Sequence, residues 1–203
     1  VLLQAAFTYA PPMQALFAGP DSAVASVSPE RFLAIDREPD GSRVARIQPV
    51  KGTAPRGSGE RDRHNARELA ASEKERAEHV MIVDLERNDL GRVSVPGSVV
   101  VDPLFEIVAT PYCHQMVSTV RSVLRDDVSL ADVLEATFPC GSVTGAPKLA
   151  ATRRIAELEL SGRSAYTGAL VAALPGMLDS SVLIRTLEYR HGGGVGGQAA
   201  PAL

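Results

Sequence analysis

A single lysine stands inside a turn-forming frame of proline and glycine at residues 48–57 (QPVKGTAPRG). The frame directly follows an alternating apolar run, so we expect Lys51 at the rim of a sheet. A lysine whose burial lowers its pKa towards neutrality can act as a nucleophile or base. Lysines framed in this way also occur in ordinary surface turns, so a solvent-exposed lysine without a catalytic role is the alternative.

Two carboxylates lie three residues apart in a segment without proline or glycine. Glu75 and Glu78 would share one face of a helix there. Paired carboxylates form a hard oxygen site that suits Mg²⁺, which binds few protein ligands and keeps waters or substrate oxygens. A solvated helix face is the alternative, because Lys74, Arg76 and Arg87 lie in the same segment.

A glycine-rich turn opens a later helix at residues 141–148 (GSVTGAPK). Backbone N–H groups and the positive end of the helix dipole converge at such a turn, which favours an anionic group. Ser142, Thr144 and Gly145 are therefore candidate anion-binding residues. The spacing and the ending differ from those of a nucleotide-binding P-loop, so a nucleotide site is not predicted.

Arg185 stands within the apolar residues 182–187 (VLIRTL), which predict a strand. A buried arginine is costly unless it meets an anion, and its guanidinium can hold a carboxylate through two parallel hydrogen bonds. An outward-facing strand arginine is the alternative.

Glu30 and His114 are two further candidates. Glu30 follows a Ser-Pro pair, and a partly buried carboxyl with a raised pKa can donate a proton. A surface ion pair is the alternative, although Arg31 is a poor partner because neighbours on a strand point to opposite faces. His114 leads into a strand, where a lone histidine more often has a structural role.

The elements that must position these residues give an α+β pattern with mainly antiparallel strands and flanking helices. Strands are predicted at residues 24–28, 32–36, 43–48, 92–94, 98–101, 105–109 and 115–123, and as a pair at 167–174 and 181–188 around a Pro-Gly turn. Residues 58–65 predict a mobile loop. Long, uninterrupted helical composition predicts one helix at 66–88 that ends at Gly91, followed by helices that begin at Ser129 and Pro147.

Bulk properties narrow the function classes. The chain has 203 residues, which suits one domain or a piece of a larger one, and a net charge of −3, which argues against nucleic acid as the main partner. No apolar run approaches the roughly 20 residues that span a bilayer, so no membrane partner is expected. Cys113 and Cys140 lack metal-type spacing and fit two free thiols in a reducing cytoplasm.

Taken together, five motifs resemble those of the chorismate-binding enzyme family, in the family's order, from about Val24 to Glu188. They are residues 28–33 (SPERFL), the Lys51 turn, residues 74–89 (KERAEHVMIVDLERND), residues 141–148 and residues 184–187 (IRTL). The resemblance implies that the chain forms part of the chorismate-binding enzyme fold. Cys140 departs from the family pattern, which usually has glycine at that position.

The resemblance also implies roles for the reacting groups. Lys51 would attack C2 of the chorismate ring, and Glu30 would protonate the departing 4-hydroxyl. His114 would lie near the ring carbon and the departing groups.

The binding residues follow from the same resemblance. Glu78, with Glu75 beside it, would contact the Mg²⁺ that grips the substrate's ring carboxylate. Arg185 and Tyr166 would lie near the other carboxylate of chorismate, beside the glycine-rich turn.

Lys51 and Thr144 distinguish between subfamilies. Anthranilate synthases usually carry alanine and serine at these positions, whereas aminodeoxychorismate synthases resemble this chain. The implied reaction is amination of chorismate at C4 to 4-amino-4-deoxychorismate, for 4-aminobenzoate and folate, with ammonia from a glutamine amidotransferase subunit or fused domain. The alternatives are anthranilate synthase component I and an inactive remnant or binding module.

We expect residues 1–191 to form part of a catalytic domain and the Gly/Ala-rich residues 192–203 to be a disordered tail. Members of the family begin with a further large region and end with a glycine-rich strand and an acidic helix that carries another metal-binding glutamate. The resemblance therefore implies a central-to-C-terminal segment of such an enzyme.

Overall fold

The structure, a computed structural model, describes residues 13–190 and has the α+β architecture that the sequence predicts. The first strands are β1 (Met13–Ala18), β2 (Ser22–Ser28), β3 (Arg31–Arg37), β4 (Arg43–Gln48), β5 (Val50–Pro55) and β6 (Val100–Val101). The others are β7 (Glu106–Ala109), β8 (Cys113–Val117), β9 (Val120–Val123), β10 (Ala169–Leu174), β11 (Met177–Val182) and β12 (Thr186–Arg190). The helices are α1 (Glu60–Ala71), α2 (Glu73–Gly91), α3 (Leu130–Thr137), α4 (Gly141–Thr144) and α5 (Lys148–Leu158).

The strands form three sheets in which all neighbours are antiparallel. The largest sheet has the order β10-β11-β3-β4-β9-β6, and the smaller ones have the orders β1-β2-β12 and β5-β8-β7. Helices α1 and α2 pack on β5, and α2 also contacts α3, α4 and β9. The main core lies where α2 and α3 meet the largest sheet, and it includes Phe32, Leu33, Ile47, Leu90 and Val133.

The chain passes from one sheet to another at short breaks between consecutive strands. Pro29 lies in the break between β2 and β3, and Pro49 lies in the break between β4 and β5. Proline has no N–H to donate to a ladder, so it suits a place where pairing changes from one sheet to another. As a result, Glu30 and Lys51 each stand just beyond a sheet crossing.

The long helix predicted at residues 66–88 is divided into two helices in the structure. The first of them, α1, also includes most of residues 58–65, which were predicted to be a loop. Ser72 separates α1 from α2, and its side chain accepts a hydrogen bond from the Glu75 backbone N–H. A serine followed three residues later by glutamate is a helix-start pattern, so the sequence contained the signal for this break. The predicted end at Gly91 is confirmed.

Three strand predictions are also wrong in detail. Residues 115–123 form β8 and β9, which belong to different sheets, because Ser118 and Thr119 lie at another crossing. Residues 181–188 divide in the same way: β11 forms the predicted hairpin with β10, whereas β12 pairs with β2. Residues 92–94 form no strand, and Ser94 makes only an isolated bridge to Leu124. Alternation reveals an extended chain but not the sheet it joins.

The tail predicted at residues 192–203 lies outside the described residues. Within residues 13–190, none of the helices has the length and apolar character needed to cross a membrane.

Candidate active site

Lys51 and Glu30 meet at the junction of two sheets, next to the glycine-rich turn. The Lys51 ammonium donates to the Ser142 carbonyl at 2.9 Å, although the two residues are distant in sequence. Glu30 is 3% exposed, and its Oε1 lies 3.4 Å from the Val50 backbone nitrogen, which donates to it. The fold therefore brings together three residues that the sequence had singled out separately.

The Glu30 carboxyl is held in a position that suits a proton donor. Burial raises its pKa, while the Ser142 hydroxyl, the Lys51 charge and the Val50 N–H act in the opposite direction. The Glu30 backbone is fixed as well, because its N–H donates to Ser28 Oγ at 3.2 Å. A raised pKa favours the protonated carboxyl that a general acid requires.

The glycine-rich turn is a single helical turn, α4, rather than an open anion-binding loop. Thr144 Oγ1 donates to the Cys140 carbonyl at 3.0 Å, and the Gly145 N–H donates to the Gly141 carbonyl at 2.9 Å. These groups stabilise the turn from within. A Cβ at Gly141 would lie 2.9 Å from Leu85 Cδ2, so glycine allows the turn to approach α2 closely.

A buried ion pair fixes the far end of this turn. Lys148, the first residue of α5, donates to Asp89 at the end of α2 and to the Thr137 carbonyl at 2.7 Å. The side chains of Lys148 and Asp89 are 13% and 5% exposed. The pair therefore anchors the segment that carries Ser142 to the same helix that carries Glu75 and Glu78.

Glu86, a buried residue next to the site, was not among the candidates predicted from the sequence. It is 1% exposed, its Oε1 lies 3.9 Å from Cys140 Sγ, and its Oε2 has no hydrogen-bond partner among the described residues. Burial raises its pKa well above the ordinary value, and the charges of Glu30 and Asp89 raise it further. Burial likewise raises the pKa of the Cys140 thiol. Burial thus favours the neutral form of both the Cys140 thiol and the Glu86 carboxyl.

His114 lies on β8, opposite Ala54 of β5, and is 4% exposed. Its Nε2 lies 3.0 Å from Oδ1 of Asp62 on α1. Ala54 is three residues from Lys51, which corresponds to about 10 Å along a strand. Asp62 was missed because residues 58–65 look like a polar loop, and no local signal links it to a histidine far along the chain.

Arg185 and Tyr166 lie on neighbouring surface segments, and the Arg185 carbonyl accepts from the Val27 N–H at 3.2 Å. Arg185 is exposed in the break between β11 and β12, not within a strand, and its φ of 51° is left-handed. Tyr166 is 63% exposed and lies under the Arg163 guanidinium, at 5.5 Å from the ring centroid. The Thr167 N–H donates to the Leu183 carbonyl, so the two segments are joined. Thr167 also has a left-handed φ of 59°.

Glu75 and Glu78 project from the first two turns of α2 in different surroundings. A Cβ added at Gly52, the residue after Lys51, would lie 3.1 Å from Glu75 Oε2. Glycine at this position therefore leaves room beside the Glu75 carboxylate. Glu78 is exposed and pairs with Lys74 at 3.8 Å, as in the solvated-face alternative. Across residues 13–190, no three His, Cys, Asp or Glu side chains are grouped to hold a metal ion. Glu78 thus matches the solvated-face alternative, and a Mg²⁺ site at these two carboxylates stays a prediction.

The chain as a whole is similar to several known proteins. A family model for chorismate binding enzymes matches residues 2–200. Aminodeoxychorismate synthase component 1 of Salmonella typhimurium is 44% identical over 85% of this chain and 37% of its own length. Aminodeoxychorismate synthase of Streptomyces pristinaespiralis is 48% identical over 87% of this chain and 24% of its own length.

A solved structure matches the fold as well. Anthranilate synthase component I from Streptococcus pneumoniae superposes with a TM-score of 0.80 and 32% identity, over 92% of this chain and 40% of that one. The chain thus spans well under half the length of these proteins.

Proposed function

Because the chain belongs to the chorismate-binding enzyme family, we propose that it is the catalytic segment of an aminodeoxychorismate synthase component I. The observation that carries this proposal is the position of Lys51, whose ammonium lies beside the buried Glu30 carboxyl and the glycine-rich turn. The two relatives named aminodeoxychorismate synthase support it. The substrate would be chorismate and the product 4-amino-4-deoxychorismate.

The first step forms one bond and breaks another. The Lys51 amine attacks C2 of the chorismate ring, both ring double bonds shift by one position (C1=C2 to C1=C6 and C5=C6 to C4=C5), and the C4–O bond breaks. Glu30 gives its proton to the departing hydroxyl, which leaves as water. Glu30 suits this step because burial favours its protonated form, and the carboxylate left behind lies near the Lys51 nitrogen, from which it can recover a proton.

The second step reverses the direction of the first. Ammonia forms a bond to C4, both ring double bonds shift back, and the C2–N bond to Lys51 breaks. The proton lost by the incoming ammonia balances the one that returns to lysine. The net change is replacement of the 4-hydroxyl by an amino group, with Lys51 and Glu30 restored.

Substrate binding needs cationic and polar groups because chorismate is a dianion. We assign one carboxylate to Arg185 and Tyr166, and the polar edge of the ring to Ser142, Thr144 and Gly145. Arg185 makes no side-chain hydrogen bond or ion pair with other described residues, which leaves its guanidinium available. The left-handed backbone at Arg185 is the kind of local strain that often accompanies binding sites.

Glu75 and Glu78 would hold Mg²⁺, which supplies positive charge for the other substrate carboxylate when bound. The ammonia would come from a glutamine amidotransferase subunit or fused domain. The cytoplasm is the compartment we propose, since Cys113 and Cys140 are free thiols.

The experiment is incubation of this chain with chorismate, Mg²⁺ and a high concentration of ammonium, with the product identified by mass and retention time. Aminodeoxychorismate supports the proposal. Anthranilate would assign the chain to the anthranilate synthases instead, which the solved relative keeps as the second candidate. No turnover, together with no chorismate binding, would indicate an inactive remnant.

Two substitutions at one position then test the covalent role. Lys51→Ala removes both the charge and the nucleophile, whereas Lys51→Arg keeps a cation that cannot attack. We expect both variants to lose C4 amination. Retained C4 product in Lys51→Arg would show that only the positive charge is needed, and retained product in Lys51→Ala would refute any direct role.

A further inference from the structure

We propose that Asp62 is a positioning residue, which fixes the ring orientation and tautomer of His114 so that Nδ1 is the free nitrogen. The inference rests on the proposed function and deepens it, because the family resemblance implies that His114 lies near the reacting ring carbon and the departing groups. Its basis is a connected set of contacts between α1, β8 and the segment after β5.

The His114 ring is enclosed, and it has one close polar partner. Nε2 lies 3.0 Å from Asp62 Oδ1, while Nδ1 is buried with no hydrogen-bond partner among residues 13–190. A buried ring nitrogen without a partner is uncommon, since most buried polar atoms are hydrogen-bonded. Nδ1 is therefore the ring nitrogen whose hydrogen-bonding capacity is not used by any described residue.

Asp62 is itself held from the other side by the segment that follows Lys51. Arg56 donates from Nε to Oδ1 at 2.8 Å and from Nη2 to Oδ2 at 3.0 Å, and the Gly57 N–H donates to Oδ1 at 2.9 Å. Arg56 also donates to the Thr110 carbonyl at 2.6 Å, which ties it to the turn before β8. The carboxylate thus has a fixed position relative to His114.

The charge state of Asp62 decides which nitrogen of His114 carries the proton. Hydrogen bonds from Arg56, the Gly57 N–H and His114 hold the pKa of Asp62 well below its usual range, so it stays ionised. An ionised carboxylate only accepts hydrogen bonds, so His114 Nε2 must be the donor. In the neutral ring this leaves the Nδ1 lone pair free, the arrangement by which carboxylate–histidine pairs orient a ring for proton transfer.

A purely structural role is the alternative, in which the pair only ties α1 to the sheet. Nitrogen NMR separates the two because it reports the tautomer directly and needs no substrate. The chain has four histidines, and the His114 signals are assigned by their loss in His114→Gln. We expect Nε2 protonated and Nδ1 unprotonated in the wild type, with a mixture of tautomers in Asp62→Ala.

Activity provides the second readout, if the chain turns over chorismate. We expect Asp62→Ala to lower kcat by about 10- to 100-fold with little change in KM, taking as a guide the range for groups that orient metal-bound histidines. Asp62→Asn, which keeps an acceptor oxygen and the side-chain volume, should recover part of the loss. Glu60→Ala is the matched control, because Glu60 lies on the same helix and pairs with Arg63 at the surface.

Two results would overturn the proposal: a wild-type His114 with its proton on Nδ1, or an unchanged tautomer in Asp62→Ala. If Asp62→Ala fails to fold, the NMR test is made on Asp62→Asn alone. A His114 Nε2–H signal with the chemical shift and exchange rate of the wild type would then also refute the proposal. The tautomer result stands apart from product identity, so failure of the amination assay and failure of this inference are distinguishable.

Discussion

Replacement of Glu86 by glutamine should change how the stability of the protein depends on pH. Glu86 is 1% exposed, and burial raises its pKa well above the ordinary value of 4.5. In the folded chain the carboxyl is therefore protonated at pH values where it is ionised in the unfolded chain. Glutamine imitates the protonated form in size and shape, and its carbonyl can accept from the Cys140 thiol as Oε1 does.

The sign and magnitude follow from proton linkage. Above pH 4.5 the folded state binds more protons at this position than the unfolded state, so the free energy of unfolding falls as pH rises. One group contributes about 1.4 kcal/mol per pH unit until the folded pKa is reached, where the slope ends. Glu86→Gln removes this contribution. Its free energy of unfolding should therefore rise relative to that of the wild type by about 1.4 kcal/mol for each pH unit. Burial also raises the pKa of Glu30, so a slope of the same sign persists in the variant.

The assay is urea unfolding followed by circular dichroism at half-unit steps from pH 4.5 to 8, for wild type and Glu86→Gln. The matched control is Glu135→Gln, which makes the same chemical change at an exposed position on α3. We expect the control curve to run parallel to wild type and the Glu86→Gln curve to diverge from it. Parallel curves for Glu86→Gln would refute the reasoning, because they would show that Glu86 is ionised in the folded protein.

Two further predictions concern the scaffold of the site. Lys148→Met should destabilise the chain by about 3–5 kcal/mol in urea unfolding, because it removes the nearer cation from the buried Asp89 carboxylate and leaves the more distant Arg92 guanidinium at 3.9 Å. Lys148→Met/Asp89→Asn should recover part of the loss, and equal losses in the single and double variants would contradict the pairing. Gly52→Ala should cost more than Gly41→Ala, since both glycines have a left-handed φ but only a Cβ at Gly52 would meet Leu69 and Glu75, at 3.0 and 3.1 Å. We expect the left-handed backbone alone to cost about 1–2 kcal/mol, and equal losses at the two positions would show that the space beside Glu75 is not restricted.

The sequence by itself determined the local elements and the residue types that react. The turn at Pro175-Gly176 and the apolar runs around it predict the β10–β11 hairpin, and glycine at 91 predicts the end of α2; the structure confirms both. These features depend on neighbours within a few residues, so a local pattern contains the information. The Lys51 frame and the Glu75/Glu78 pair are visible for the same reason.

The tertiary structure decided which of these residues meet. The sequence predicted parts of β11 and β12 as one strand, and it marked the breaks β2–β3 and β4–β5 without showing that the chain changes sheets there. These changes of sheet place Glu30, Lys51 and Arg185 at crossings. Strand alternation has the same period on either side of a crossing, so the sequence cannot show the change.

The partners of the reactive groups belong to the tertiary structure for a related reason. Asp62 holds His114, and Glu86 lies buried against Cys140, across long separations in sequence. Burial and contact depend on how α1 and α2 pack on the sheets, and both effects set the charge of a carboxyl more strongly than its neighbours in sequence do. The candidate acids and bases can therefore be predicted from the sequence. The packing of the helices decides which of them are favoured in the protonated form and which atoms face a partner.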